Sequence, residues 1–119
     1  MKQENLILDK TYKFSLGIVK LYLHLKKKKI DNGLYSQILR SGTYFGANTE
    51  EAVGGSSRKV FISKMQVSYK EARETSYWLR LLMECELHEK KLANPFITDC
   101  EEILKILTTI LKSSKGGAV

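Results

Sequence analysis

Residues 41–61 read SGTYFGANTEEAVGGSSRKVF, and this stretch combines a helical pattern with two residues that disfavour a helix. Gly42 and Gly46 each cost a helix about 1 kcal/mol relative to alanine. Glycines four positions apart lie on one face of a helix and form a flat seam, which another backbone can approach closely. We therefore expect Gly42 and Gly46 to be helix-packing positions rather than breaks in the chain.

Four helical segments extend outward from this stretch. They are expected at about residues 4–29, 34–53 and 57–89, with a fourth that ends near Ser114. Gly54-Gly55 ends the second helix, and Ser56 or Ser57 can cap the third. The start of the fourth helix has two alternatives: Asn94 as N-cap before Pro95, or a capping box of Thr98 with Glu101.

The connections between these segments are short, and the sequence has one proline in 119 residues. Helices joined by short connections pack beside their sequence neighbours in opposite directions. The predicted fold class is all-α, an antiparallel up-down-up-down four-helix bundle. We expect residues 1–115 to form this single domain and residues 116–119 to be a disordered tail.

The first helix has more apolar surface than one bundle can cover. Its polar positions recur in steps of three and four along one narrow stripe: Lys10, Lys13, Gly17, Lys20, His24 and Lys27. A surface helix of a monomer needs an apolar arc of about 100°, and this helix has far more. The pattern predicts that the helix packs both in its own bundle and against a neighbouring subunit of a homo-oligomer.

Basic residues follow a second stripe on the third helix. The net charge is +7, with eight lysines against three acidic residues in residues 1–32 and eight basic against five acidic residues in residues 56–93. Tyr77 alternates with Arg73 and Arg80, a pattern suggestive of base stacking. The two stripes are candidate RNA or DNA phosphate contacts, although a solvated basic face is the alternative. The candidates are Lys10, Lys13, Lys20, Lys27, Lys59, Lys70, Arg73 and Arg80.

Carboxylates cluster on the second and third helices. A di-metal bundle needs a Glu-x-x-His pair on each of two helices, and the sequence has none, so we expect no metal and no cofactor. We interpret the cluster as a structural polar network that fixes helix register, with Arg73 or Arg80 as its charge partner. The expected members are Asn48, Glu51, Ser68, Glu71 and Glu74.

No catalytic residues are expected. Phosphate loops, dinucleotide motifs and catalytic triads are absent from the sequence, and Cys85 has only His88 nearby, close to a helix end. We interpret the protein as non-enzymatic; a carboxylate-site enzyme is the weaker reading. The N-terminus lacks the apolar core of a signal peptide, and no apolar run reaches the length of a membrane span, so we expect a cytoplasmic protein.

Three segments resemble one protein family: SGTYFGANTEEA (41–52), KVFISKMQVSYKEARETSYWLRLL (59–82) and EEILKILTTILKSSK (101–115). They are similar to the four-helix-bundle family of 23S rRNA intervening-sequence proteins, often labelled S23 ribosomal proteins. The resemblance spans about residues 34–115. One departure is Thr49-Glu50, where the family pattern leads us to expect a more apolar pair.

The resemblance implies a ring-shaped homopentamer of unknown physiological role. The family also looks related to the accessory variability determinant of diversity-generating retroelements, a basic pentameric bundle that binds nucleic acid beside a reverse transcriptase. Two functions are therefore expected as alternatives. One is an oligomer that binds RNA or DNA through basic helix faces. The other is a protein-interaction scaffold that docks a partner enzyme without contacting nucleic acid.

Overall fold

The computed structural model describes residues 2–27, 33–85 and 90–114, and these ranges contain four helices and no strand. The helices are α1 (Lys2–Lys27), α2 (Gly33–Val53), α3 (Arg58–Glu84) and α4 (Lys90–Ser114). In sequence order each helix packs against the next, and α1 also packs against α4. The predicted all-α four-helix fold is confirmed. Within it, α1 and α3 lie diagonally opposite each other.

Neighbouring helices run in opposite directions, as the contacts between them show. Ser15 of α1 donates a hydrogen bond to the carbonyl of Gly42, while Thr11, one turn earlier, lies beside Gly46, one turn later. On the opposite pair of helices, Arg58 near the start of α3 bonds to the carbonyl of Ser114 at the end of α4. Residues near the start of one helix thus lie beside residues near the end of its neighbour, as expected for an up-down-up-down bundle.

The fourth helix begins earlier than either predicted start. It begins at Lys90, so Pro95 lies inside it. A proline removes its own N–H donor and crowds the carbonyl four residues earlier, which near a helix start affects one hydrogen bond. Ala93 in the turn before it is fully buried, and that burial helps hold the turn in place. Both the Asn94 and the Thr98 start were therefore wrong.

Of the other boundaries, the start of α3 agrees with the prediction, its end differs, and some cannot be compared. Ser57 is the N-cap of α3, with φ −150° and ψ 161°, and its hydroxyl accepts a hydrogen bond from the backbone N–H of Val60 at 3.1 Å. The same helix ends at Glu84 with Cys85 as its C-cap, five residues before the expected end. Residues 28–32, 86–89 and 115–119 lie outside the described residues. They include the expected end of α1 at Lys29 and the tail at 116–119.

Gly42 and Gly46 lie in the contact between α1 and α2. A Cβ atom on Gly42 would lie 3.2 Å from two carbon atoms of Ile18, and one on Gly46 would lie 2.6 Å from the Ser15 Oγ. The Thr11 carbonyl oxygen is 3.4 Å from the same Gly46 position. These distances leave no room for a side chain at Gly46 while Ser15 keeps its place. The glycines therefore allow α1 and α2 to pack closely.

The core continues from this seam to the other helices. Phe14 of α1 packs against Phe45 of α2 at 5.2 Å between ring centroids, and edge-on against Phe96 of α4 at 5.8 Å. Such aromatic pairs stabilise a core beyond the area that they bury. Fully or almost fully buried aliphatic and sulfur side chains complete the core: Ile7, Ile18, Met65, Leu79, Leu82, Cys100, Ile103 and Leu107.

Cys100 belongs to this core. Its Sγ donates to the carbonyl of Ala72 on α3 at 3.3 Å. Burial, with a smaller contribution from the charge of Glu101, raises the pKa of the Cys100 thiol to about 12. A thiol held neutral in this way is a poor nucleophile. Cys85, at the end of α3, is exposed.

We expect Gly46→Leu to lower the melting temperature, because a leucine overpacks a tight contact at a cost of about 1–3 kcal/mol or more. Thermal unfolding followed by circular dichroism measures this. Gly33→Leu is the matched control, since a Cβ atom at Gly33 meets nothing within 4 Å. Equal melting temperatures for the two variants would contradict the close contact.

We expect one thiol to react with a chromogenic disulfide reagent in the native protein and two after denaturation. Cys85 is the accessible one, whereas Cys100 is buried. Because folding raises the pKa of the Cys100 thiol, the free energy of unfolding depends on pH in the alkaline range. The contribution of this thiol is complete below its ordinary pKa of 9.0 and is lost as the pH rises toward about 12. Cys100→Ala should flatten that alkaline decline in a pH series of melting temperatures. Two fast-reacting thiols in the native protein would refute this assignment.

Candidate nucleic-acid interface

The acidic cluster of α3 is paired with a cation from α2. Arg40 Nη1 lies 3.0 Å from Glu71 Oε2, and its other terminal nitrogen bonds to Glu74. The indole N–H of Trp78 also donates to Glu74 at 2.9 Å. The expectation that Arg73 or Arg80 would serve as charge partner was wrong. Both carboxylates face α2, where Arg40 is the one basic residue.

The remaining expected members do not join this cluster. Ser68 is buried, and its hydroxyl lies 2.6 Å from that of Thr49; each lies 2.8 Å from the carbonyl oxygen of Phe45. Asn48 donates to the carbonyl of Tyr44 in its own helix. The predicted single network is therefore divided into separate groups.

Glu51 also lies apart from the Arg40 cluster. Its exposed carboxylate pairs with Lys64 at 2.9 Å, so the expectation that Glu51 belongs to one network with Glu71 and Glu74 was wrong. A third group joins Thr75 to Ser41, with 2.8 Å between the two hydroxyl oxygens. All the groups that cross between helices here link α2 to α3, and hydroxyl contacts of this kind fix the register of two helices.

Sequence reasoning missed Arg40, Thr49, Ser41 and Thr75 as parts of these groups. The role of Arg40 could have been predicted, because it is the single cation of α2 and therefore the one residue of that helix able to pair with carboxylates of α3. The departure noted at Thr49 also has a structural meaning, because the hydroxyl of Thr49 meets Ser68. The Thr75 hydroxyl also bonds to the Glu71 carbonyl in its own helix. Serine and threonine make such bonds within any helix, so the sequence does not indicate which of them also contact a second helix.

Two of the four candidate cations of α1 are neutralised locally. Lys10 bonds to Glu102 of α4, and this hydrogen bond raises the pKa of Lys10. Lys13 pairs with Asp9 one turn earlier at 3.0 Å. Lys20 and Lys27 are exposed. Only two of the four lysines in the α1 stripe are therefore free of a carboxylate partner among the described residues, so the stripe is a weaker anion site than the sequence predicted.

The four cations of α3 have a different environment. Lys59, Lys70, Arg73 and Arg80 are all exposed, and none of them forms an ion pair within the described ranges. Lys70 has a carboxylate four residues later, the spacing of a helical ion pair. That carboxylate belongs to Glu74, which is bonded to Arg40 and Trp78 instead.

Aromatic rings accompany these cations. The guanidinium of Arg80 lies over the Tyr77 ring at 5.9 Å from its centroid, and that of Arg73 lies over the Tyr69 ring at the same distance. Arg73 also donates to the Tyr69 hydroxyl at 3.2 Å. The Tyr77 side chain is 51% exposed and meets the edge of Trp78 at 5.2 Å. We call Lys70, Arg73, Tyr77 and Arg80 the basic-aromatic face.

Two exposed apolar rows flank the bundle on opposite sides. The α1 row contains Tyr12, Leu16 and Leu23, of which Tyr12 is 66% and Leu23 57% exposed. The α3 row contains Val60, Val67 and Leu81, each a little over one third exposed. Because α1 and α3 are diagonally opposite, the two rows lie on different surfaces of the subunit.

Two further kinds of feature do not occur in the described part of the chain. No group of three or more His, Cys, Asp or Glu side chains there is arranged to hold a metal ion. None of the described helices has the length and apolar character that crossing a membrane requires. The main surface features on the described residues are the unpaired cations of α3 and the two exposed apolar rows.

Comparison with known proteins gives a family match, similar solved structures and one negative result. The 23S rRNA-intervening sequence protein family matches residues 3–109. A crystal structure at 1.70 Å of a protein with unknown function from the S23 ribosomal protein family of Bacteroides thetaiotaomicron VPI-5482 is 40% identical. That alignment covers 92% of this chain and 98% of the other, with a TM-score of 0.86. None of the curated proteins is significantly similar.

These matches confirm the resemblance that the motifs of α2, α3 and α4 predicted. The family match extends it to α1, since it begins at residue 3. The chain belongs to the 23S rRNA-intervening sequence protein family.

Proposed function

We propose that the protein is a non-enzymatic homo-oligomer that binds RNA or DNA by contacting phosphates through α3. The observation that carries the proposal is the absence of carboxylate partners around Lys59, Lys70, Arg73 and Arg80 in the described residues. Unpaired cations along one helix attract a polyanion, whose condensed counterions are released on binding.

The apolar rows support assembly into an oligomer. The α1 row and the α3 row differ in sequence and lie on opposite sides of the subunit. A contact between two different surfaces is heterologous, and repeating it produces a closed ring when the rotation closes. The pentamer that the family resemblance implies is one such ring. Each ring would carry several copies of the α3 cations, so their combined affinity for one polyanion would exceed that of a single subunit.

The type of contact follows from the side chains. Lysine and arginine on an exposed helix reach phosphate oxygens, and such contacts carry no base sequence information. We therefore propose binding without sequence preference. The interaction scaffold remains the outcome if no nucleic acid binds, because the apolar rows could then dock a partner enzyme.

We expect replacement of Lys70, Arg73 and Arg80 by glutamine to weaken binding similarly for every sequence tested. The slope of log K against log salt should also become less steep, because it is about −0.9 per duplex phosphate neutralised. Fluorescence anisotropy with labelled RNA and DNA across a salt series measures both quantities. Stability should change little, since exposed charges typically contribute under about 1 kcal/mol each.

The matched control replaces Lys26, Lys105 and Lys112 by glutamine, which removes the same charge from exposed positions on α1 and α4. A control variant that loses as much affinity and slope as the α3 variant would show that net charge alone matters. Absence of wild-type binding to RNA and DNA, even at about 50 mM salt, would reject the proposed function.

We expect light scattering after size exclusion to give the mass of a homo-oligomer, with five copies as the expected number. Leu16→Glu and Leu23→Glu together place two charges in the α1 row and should shift the mass toward that of the monomer. A helical circular dichroism spectrum that stays unchanged would show that the subunit is still folded. A wild-type monomer at micromolar concentration would refute the oligomer.

A further inference from the structure

The basic-aromatic face has a regular composition along α3. Its four residues follow steps of three, four and three, so they occupy one side of the helix. Tyr77 lies between Arg73 and Arg80, with Lys70 one turn before Arg73. An aromatic ring between cations is the combination that proteins use to bind single-stranded nucleic acids, where bases stack on rings and cations follow the backbone.

Tyr77 differs from the other exposed tyrosines in its surroundings. Tyr12 lies in the apolar row of α1, and the adjacent Lys13 is already paired with Asp9. Tyr44 is exposed on α2. Within the described ranges, neither ring has a cation above it, whereas Arg80 lies over the ring of Tyr77. Tyr77 is therefore the exposed ring that is combined with unpaired charge.

The position of the Tyr77 ring is constrained by its neighbours. The edge of Trp78 meets it at an interplanar angle of 69°, and the Trp78 indole is itself fixed by its hydrogen bond to Glu74. Half of the Tyr77 side chain nevertheless stays open to solvent. A ring that is held in place loses little conformational entropy when a base stacks on it, which favours binding.

We infer that the basic-aromatic face binds unpaired nucleotides, with one base stacked on Tyr77 and the flanking phosphates contacted by Arg73, Arg80 and Lys70. This inference rests on the proposed function and specifies its substrate as single-stranded rather than duplex nucleic acid. From Lys70 to Arg80 the helix rises about 15 Å, so the face is long enough to contact a short run of nucleotides. Bases inside a duplex stack on each other, so their faces are closed to the ring.

The test uses Tyr77→Leu, with Tyr77→Phe as the matched control that keeps the ring. The probe is a fluorescein-labelled oligoribonucleotide without self-complementarity, measured alone and annealed to its complement. Tyr77→Leu should weaken single-strand binding by about 5- to 100-fold, the range for loss of one stacked base. Tyr77→Phe should bind like the wild type. Duplex binding should be the same for all three proteins, and the salt slope should not change, because the cations are intact.

The outcomes separate this inference from the proposed function. Duplex binding as tight as single-strand binding, or equal single-strand affinities for Tyr77→Leu and wild type, would overturn the stacking site while leaving phosphate binding in place. Absence of binding to either probe would overturn both. A loss of affinity in Tyr77→Leu that also appears with the duplex would show that the residue acts through the fold, and would likewise overturn the site.

Discussion

The contact of α1 with α2 at Gly46 constrains the rest of the bundle. The Thr11 carbonyl and the Ser15 hydroxyl occupy the space in which a side chain at Gly46 would lie, so the rotation of α1 about its own axis is fixed. With Thr11 and Ser15 facing α2, Phe14 is directed between α2 and α4, where it meets Phe45 and Phe96. The same rotation leaves an apolar row of α1 facing outward. A glycine seam inside the bundle thus determines which apolar row of α1 is exposed to solvent.

The surface chemistry of α3 also follows from an internal contact. Arg40 bonds to Glu71 and Glu74 from the neighbouring helix, so these carboxylates are directed toward α2. Lys70 consequently lacks the ion pair that its spacing from Glu74 would allow within a helix. On the other side of α3, Arg73 and Arg80 lie against tyrosine rings instead of carboxylates. Charge that would otherwise be neutralised within one helix is therefore left available on the outer surface.

Periodicity predicted the helices, their order and the purpose of the glycine pair, because the spacing of apolar and small residues follows directly from helix geometry. It failed at the start of α4, which extends back past Pro95 to Lys90 and buries Ala93. It also failed for the polar groups, since the partner of Glu74 is separated from it by 34 residues. The sequence analysis placed Arg73 or Arg80 beside these carboxylates, whereas the rotation of α2 about its axis brings Arg40 closer. Such pairings depend on helix rotation and register, which no single segment specifies.

Trp78 connects the interior of the subunit with its outer face. Its indole N–H is bonded to Glu74, which Arg40 also holds, and its edge meets the ring of Tyr77. Trp78 is the only tryptophan in the chain. Tryptophan fluorescence, excited selectively over tyrosine, therefore comes from a single site. That site is one side chain away from Tyr77 and one hydrogen bond away from the ion pairs between α2 and α3. The protein thus carries an optical reporter of its own, which senses both the packing of these two helices and whatever approaches the ring.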